Sequence, residues 1–469
     1  DPAAQKLAFN LDPLGALARH GEISESLESA FVRTAALAGS LAEQFPLAMS
    51  LRSDIRPVHE AGGSEAQELG ALIAHGVDTL RRLDKAGMPP AEAVGNLIFT
   101  LSIDANYGVG IAKLRSARRL WARCLEALRL DARPMQIQVV TSARMLTRRD
   151  PWVNMIRGTA ACFAASVGGA DSITVRPFTD ALGVAEELGR RTARNTQIIA
   201  MEESNLGKVA DMAGGAWFTE TLADDLAEAA WDEFQRIETE GGYGASLMAN
   251  AFQSRVAEAR AALRKDVARR KITITGVSEF ALLDEIEAPV ADLSGWHGGS
   301  DSISGTALPT GLPAATGTST ASPLLPIRLS EPYERLRDQA DTLAIRPSIF
   351  LAALGPLAEH TARAAFARRL FAAGGIESKT HEVGDDIAAA FKASGARLAV
   401  ICGSNTRYAD EAKVIAKALK SAGVQRLYLA GKSGEHEDAW RAAGIDSFIH
   451  IGVDVIAALE LAHAELGIV

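Results

Sequence analysis

Two hydrophobic rhythms divide this chain. From residue 346 to 469, short apolar runs of strand length alternate with stretches whose apolar residues recur at helical spacing. The runs predict strands near residues 348–353, 378–382, 398–402, 426–430 and 447–450. The intervening stretches predict helices near 359–373, 386–394, 408–422, 437–442 and 455–466. Such an alternation predicts a doubly wound parallel sheet of flavodoxin type, which takes ligands beyond its strand C-termini.

The N-terminal part, residues 1–290, alternates too, but its helices are longer. Strands are predicted near 47–51, 97–102, 136–141, 171–175 and 273–277. Helices are predicted over 66–86, 107–128, 152–167, 191–204, 222–240 and 244–268. Repeated parallel units of this length predict an α/β fold built as a (β/α)8 TIM-type barrel, although the pattern supplies only part of a barrel's strands. Between the two parts, residues 291–345 form a linker. Its first half is rich in Gly, Ser, Thr, Pro and Ala without a sustained period, and cannot bury enough apolar surface to offset its ordering entropy.

Composition narrows the function. A chain of 469 residues has material for more than one domain, and 48% hydrophobic with 23% charged residues is an ordinary globular balance. A formal charge of −9 argues against nucleic acid or an anionic membrane as the main partner. No apolar run is long enough to span a bilayer, and the first residues have neither the basic nor the apolar part of a secretory signal. Cys124, Cys162 and Cys402 are scattered without metal spacing, which suits a reducing cytoplasm.

Candidate chemistry is sparse. Arg115, Arg118 and Arg119 lie on one basic amphipathic helix and read first as a salt-bridged face, with phosphate contact as the alternative. Gly431-Lys432-Ser433 is similar to the end of a phosphate loop, but Arg426 stands where that loop needs its first glycine. Asp150-Pro151 predicts a helix start, with Asp150 as the N-cap. Adjacent Glu202 and Glu203 point apart on a helix and read as a polar face. No histidine occurs between His75 and His297. The predicted strand ends offer Thr141, Ser142, Thr174 and Val175, with Arg176 nearby, groups that hydrogen-bond but are poor acid–base catalysts.

Several segments in register resemble the cobalamin-dependent acyl-CoA mutases. They are Lys113 to Trp121, Thr141 to Trp152, Gly168 to Ile173, Ala193 to Gln197, Glu202 to Ser204 and Lys208 to Trp217. Together with the C-terminal part they cover most of the chain in order. Within that group the chain resembles the methylmalonyl-CoA mutase family, and there the small, non-catalytic (beta) subunit of heterodimeric bacterial enzymes. Phe163 to Thr174, Ile274 to Phe280 and Ala416 to Gly423 carry this closer likeness.

The resemblance implies what is missing. Thr174 matches the barrel histidine of active members, Gln136 and Val140 match an arginine and a glutamine, and Pro57 matches a further histidine. In the C-terminal part a cobalt-ligating loop needs an imidazole, an orienting acid two residues earlier and a following glycine. Glu359, Leu357 and Ala362 stand at those positions, and His360 is one residue out of register. All seven residues are therefore expected to be vestigial, with no cofactor or metal bound by this chain. The family's barrel begins before the segment that residues 12–15 resemble, so the N-terminal part of the barrel is expected to be missing here.

The implied function is that of a non-catalytic subunit. Its catalytic alpha subunit would bind adenosylcobalamin and interconvert (R)-methylmalonyl-CoA and succinyl-CoA, and an accessory GTPase chaperone could act on the heterodimer. The alternatives are an active acyl-CoA mutase subunit of altered specificity and a stand-alone acyl-CoA-binding or scaffold protein.

Overall fold

The computed structural model describes residues 4–292, 312–381 and 386–468. It divides into two compact α/β units. One comprises residues 1–146, 154–261 and 288–328, the other 147–153, 262–287 and 329–469.

The first unit contains β1 (Ala8–Leu11), β2 (Glu22–Ile23), β3 (Met49–Asp54), β4 (Leu97–Ile103), β5 (Gln136–Thr141), β6 (Ser172–Thr174) and β7 (Ser319–Thr320). Five of these form a sheet in the order β1-β3-β4-β5-β6, and every neighbouring pair is parallel. Neighbours in this sheet follow one another along the chain, as in the wall of an α/β barrel. Alternation sets its two faces. Leu51, Phe99, Leu101, Ile137 and Val139 join the buried core, where Phe99 packs edge-on against Trp121 of the helix Tyr107–Ala127. The opposite face is polar: Arg52 donates to Thr100, and Thr100 donates to Gln138, so one hydrogen-bonded row crosses three strands.

The longest-buried helix, Glu65–Lys85, starts on a capping box in which Ser64 and Gln67 satisfy each other's backbone N–H groups. Gly70 and Gly76 lie on its packed faces. A Cβ at Gly70 would stand 2.7 Å from the carbonyl of Ala230, so the helix Trp217–Thr239 approaches here at backbone distance.

The second unit contains β8 (Ser348–Ala353), β9 (Glu377–Thr380), β10 (Leu398–Cys402), β11 (Arg426–Ala430) and β12 (Ser447–Ile449). These pair in parallel in the order β12-β11-β10-β8-β9. Helices cover both faces. Ile349 and Leu351 pack with Leu370, Phe371 and Leu459 on one side. Phe350 and Ala352 pack with Phe391, Tyr408 and Leu419 on the other. The chain leaves β8 toward β9 on one flank and returns to β10 on the other, so the strand order reverses between β8 and β10.

Several expectations need correction. No strand forms at 273–277; Thr275 and Glu279 make only an isolated bridge around Gly276, whose φ is +83°. Asp150 is not an N-cap in extended backbone: its φ is +46°, its carbonyl accepts from Val153 at 3.1 Å, and the helix begins at Val153. The predicted helix 244–268 is broken at Asn250 (φ +57°) into Tyr243–Met248 and Ala251–Ala268. Within the segment read as linker, residues 293–311 lie outside the described residues. Farther along it, Ser319–Thr320 pairs antiparallel with Glu22–Ile23, and Glu331–Asp341 is a helix.

Candidate functional site

Among the described residues, each unit brings ionisable side chains together just beyond its strand ends. In the first unit, the ends of β3, β4 and β5 meet a buried cluster of ionisable and hydroxyl groups. The short helix Arg56–Glu60 after β3 supplies His59 and Glu60. The helix Glu65–Lys85 supplies Glu65 and Glu68, β4 supplies Ser102, and Ser142 follows β5 directly. Lys113 comes from the helix after β4, and Arg144 from the loop after β5.

His59 is fully enclosed between Ser142 and Glu68. Its Nε2 lies 2.8 Å from the Ser142 hydroxyl and its Nδ1 3.1 Å from the Glu68 carboxylate. This is the connectivity of a hydroxyl–imidazole–carboxylate relay. Three observations argue against nucleophilic chemistry. Ser142, His59 and Glu68 have no exposure to solvent. Glu68 also accepts from the Lys113 ammonium. The backbone N–H groups of Ala143 and Arg144, which could steady an oxyanion, already donate to Glu60 at 3.1 and 2.9 Å.

Burial, reinforced by the Arg144 and Lys113 cations, pushes the His59 imidazole down to about 3, so the ring is neutral at ordinary pH. Burial also works against the charge of Lys113, but Glu65 and Glu68 outweigh it and hold the ammonium above its usual range. The donor atoms of His59, Glu65 and Glu68 lie within 4.8 Å of one another, close enough to share a cation. That place is taken: Lys113 contacts both carboxylates and donates to the Ser102 carbonyl at 2.9 Å. The cluster is a closed ionic knot joining strand ends.

The positions matched to catalytic groups fall on β5, on β6 and in the short helix after β3. Val140 and Thr174 are register partners on β5 and β6, and Thr174 is exposed. Gln136 begins β5, at the end opposite Val140. Pro57 is buried in the short helix after β3. Arg176 is held by the Thr141 carbonyl at 3.0 Å and Asp180 at 3.0 Å. Arg115 and Arg119 pair with Asp211, Glu220 and Asp224, and Arg118 donates to the Gly168 and Gly169 carbonyls, so the salt-bridged reading of that helix holds. Sequence reasoning missed His59 altogether. The available signal was His59-Glu60 a few residues beyond the predicted strand 47–51, followed by two acids one helical turn apart at Glu65 and Glu68.

In the second unit the strand-order reversal places the loops after β8 and β10 side by side, where an open α/β sheet keeps its crevice. The loop after β8 turns at Gly355 (φ +72°) into the helix Leu357–Ala372. Glu359, in the first turn, accepts from Arg407 at 2.7 Å, and Arg407 also donates to Glu411 at 2.7 Å. The hydrogen bond from Arg407 holds the Glu359 carboxyl below its usual range. Leu357 is 70% exposed, and Ala362 is exposed on the same helix. The His360 ring turns inward, its Nδ1 3.1 Å from the Gly355 carbonyl. Arg363 donates to the Gly403 carbonyl at 2.7 Å and lies over the Tyr408 ring.

An α/β chain whose first unit is a barrel-like parallel wall and whose second is an open parallel sheet matches the family model described as methylmalonyl-CoA mutase over residues 5–295. It is 45% identical over 467 residues to the methylmalonyl-CoA mutase small subunit of Streptomyces virginiae, covering 97% of this chain and 70% of that protein. The corresponding small subunit of Propionibacterium freudenreichii subsp. shermanii is 36% identical over 478 residues, covering 100% of this chain and 70% of that protein. A probable small subunit from Mycobacterium tuberculosis (strain ATCC 25618 / H37Rv) is 38% identical over 424 residues, 87% of this chain and 63% of that protein. The chain thus spans roughly two thirds of the length of these relatives, and it belongs to the methylmalonyl-CoA mutase family. No helix among the described residues is long and apolar enough to cross a membrane.

Proposed function

We propose that this chain serves as the non-catalytic small subunit of a cytoplasmic methylmalonyl-CoA mutase heterodimer. Its first sheet then belongs to a (β/α)8-type barrel and its second to a flavodoxin-type domain of the cobalamin-binding kind, joined through the 291–345 segment. Adenosylcobalamin and the exchange of (R)-methylmalonyl-CoA with succinyl-CoA belong to the catalytic large subunit. This chain contributes an interface and a stable scaffold.

The observation that carries the proposal is the state of Glu359. The position that would ligate cobalt bears a carboxylate already committed to Arg407. Leu357, apolar and exposed, cannot orient a ligand, and Ala362 lacks the freedom of the glycine. The residues present do not fit a ligated corrin, so no step of the reaction is assigned to them. Thr174, exposed at the end of an edge strand, gives the barrel position no acid or base.

Co-expression with a catalytic large subunit tests this. The expected product is a heterodimer holding one corrin per pair, whose turnover survives Glu359→Gln and Thr174→Ala here but not loss of the partner's cobalt ligand. A second corrin per pair, or turnover that follows Thr174→Ala, contradicts it.

A further inference from the structure

We infer that Arg407 is a lock on the crevice between β8 and β10, so that restoring the cobalt-ligating residues would not by itself restore corrin binding. The inference rests on the reading of this chain as a subunit without its own cofactor, and goes beyond it. Loss of a ligand alone would leave the strand end open; here the Arg407–Glu359 ion pair lies against the turn at Gly355.

Gly355 gives the clearest evidence. It turns the chain out of β8 with φ +72°, and a Cβ built there would stand 2.7 Å from Arg407 Nε and 2.9 Å from Glu359 Oε2. The space that a glycine opens beside the strand end is therefore occupied by the ion pair. Arg407 is anchored from its far side as well, by Glu411 one helical turn along at 2.7 Å. Ser404, which caps that helix through the Arg407 N–H at 3.2 Å, also reaches Glu359 at 3.5 Å. The neighbouring opening is crossed by Arg363, which bonds the Gly403 carbonyl and the Asn405 side chain.

Replacing Glu359 removes one partner of Arg407 and leaves the other. The guanidinium stays tethered to Glu411 across Gly355. An aspartate placed at 357 would offer it a new partner, drawing that acid away from the imidazole it should orient.

The test compares two variants of the full chain, titrated with adenosylcobalamin and with hydroxocobalamin. One is Leu357→Asp/Glu359→His/Ala362→Gly; the other adds Arg407→Ser. The readouts are the absorption change of histidine-ligated cobalt and equilibrium dialysis, and circular dichroism verifies that both variants fold. All four positions are exposed or half-exposed. The expected result is at least tenfold tighter binding, with the histidine-ligated spectrum, only when Arg407 is replaced. Equal behaviour of the two variants, whether both bind or neither does, overturns the lock. Tight histidine-free binding by the unmodified chain would instead overturn the underlying reading, and is seen separately in the same titration.

Discussion

Glu68 and Glu359 each lie just beyond a strand end and each meets a cation of its own unit, yet the surroundings give the two pairs opposite roles. Glu68 is fully enclosed, shared between Lys113, His59 and the Ser102 backbone N–H. Its side of the knot cannot open without leaving a charge unpaired in a dry interior, so the knot is part of the fold. The Glu359 side chain is 34% exposed and that of Arg407 36%. Water and salt screen such a pair, and its contribution to stability is small. What it does is occupy space. The same chemistry is scaffold in one unit and plug in the other, and burial decides which.

The contrast breaks first at Lys113. Lys113→Met leaves the enclosed Glu68 without its cationic partner, while Glu65 keeps only the Arg144 cation at 3.5 Å, and should cost about 3–5 kcal/mol in urea unfolding. A loss below about 1 kcal/mol would mean that the knot is not structural.

His59 sharpens the comparison through pH. Its folded value of about 3 lies below the ordinary value of about 6.5, so the unfolded chain takes up the proton first. The stability this group contributes is present above about pH 6.5 and is lost as pH falls toward 3. Between pH 7 and 4.5 the loss is on the order of 2 kcal/mol. His59→Gln cannot take up that proton, so its thermal midpoint should fall less on acidification than that of the unmodified protein. Equal falls would remove His59 as the cause.

Two smaller effects belong to the crevice. Gly355→Ala adds a Cβ to a left-handed residue already facing the ion pair, and should cost about 1–2 kcal/mol in the same unfolding assay. Glu359→Gln should leave the melting temperature within experimental scatter at any ionic strength. A salt-dependent drop would show that the pair supports the fold after all.

What the sequence revealed follows from the same physics. The runs 348–353, 398–402 and 426–430 coincide with strands whose alternate residues are buried on both sheet faces, so an unbroken apolar run marks them. Ala8–Leu11 escaped because an edge strand of four residues, AFNL, carries too little pattern. Beyond His59, Glu60, Glu65 and Glu68, the knot was not readable, because Lys113 and Arg144 come from segments after two other strands and gain meaning only when those ends meet. At Glu359 the absent imidazole was visible in the sequence. Its partner was not, since Arg407 lies 48 residues farther on and reaches it only because the strand order reverses between β8 and β10.

Titration of the purified chain with adenosylcobalamin, followed by equilibrium dialysis and absorption, probes the central claim most directly. The account predicts no saturable binding and no change in the corrin spectrum at concentrations that fill a catalytic large subunit. Stoichiometric uptake with a spectrum showing cobalt coordinated by a side chain of this chain would contradict it.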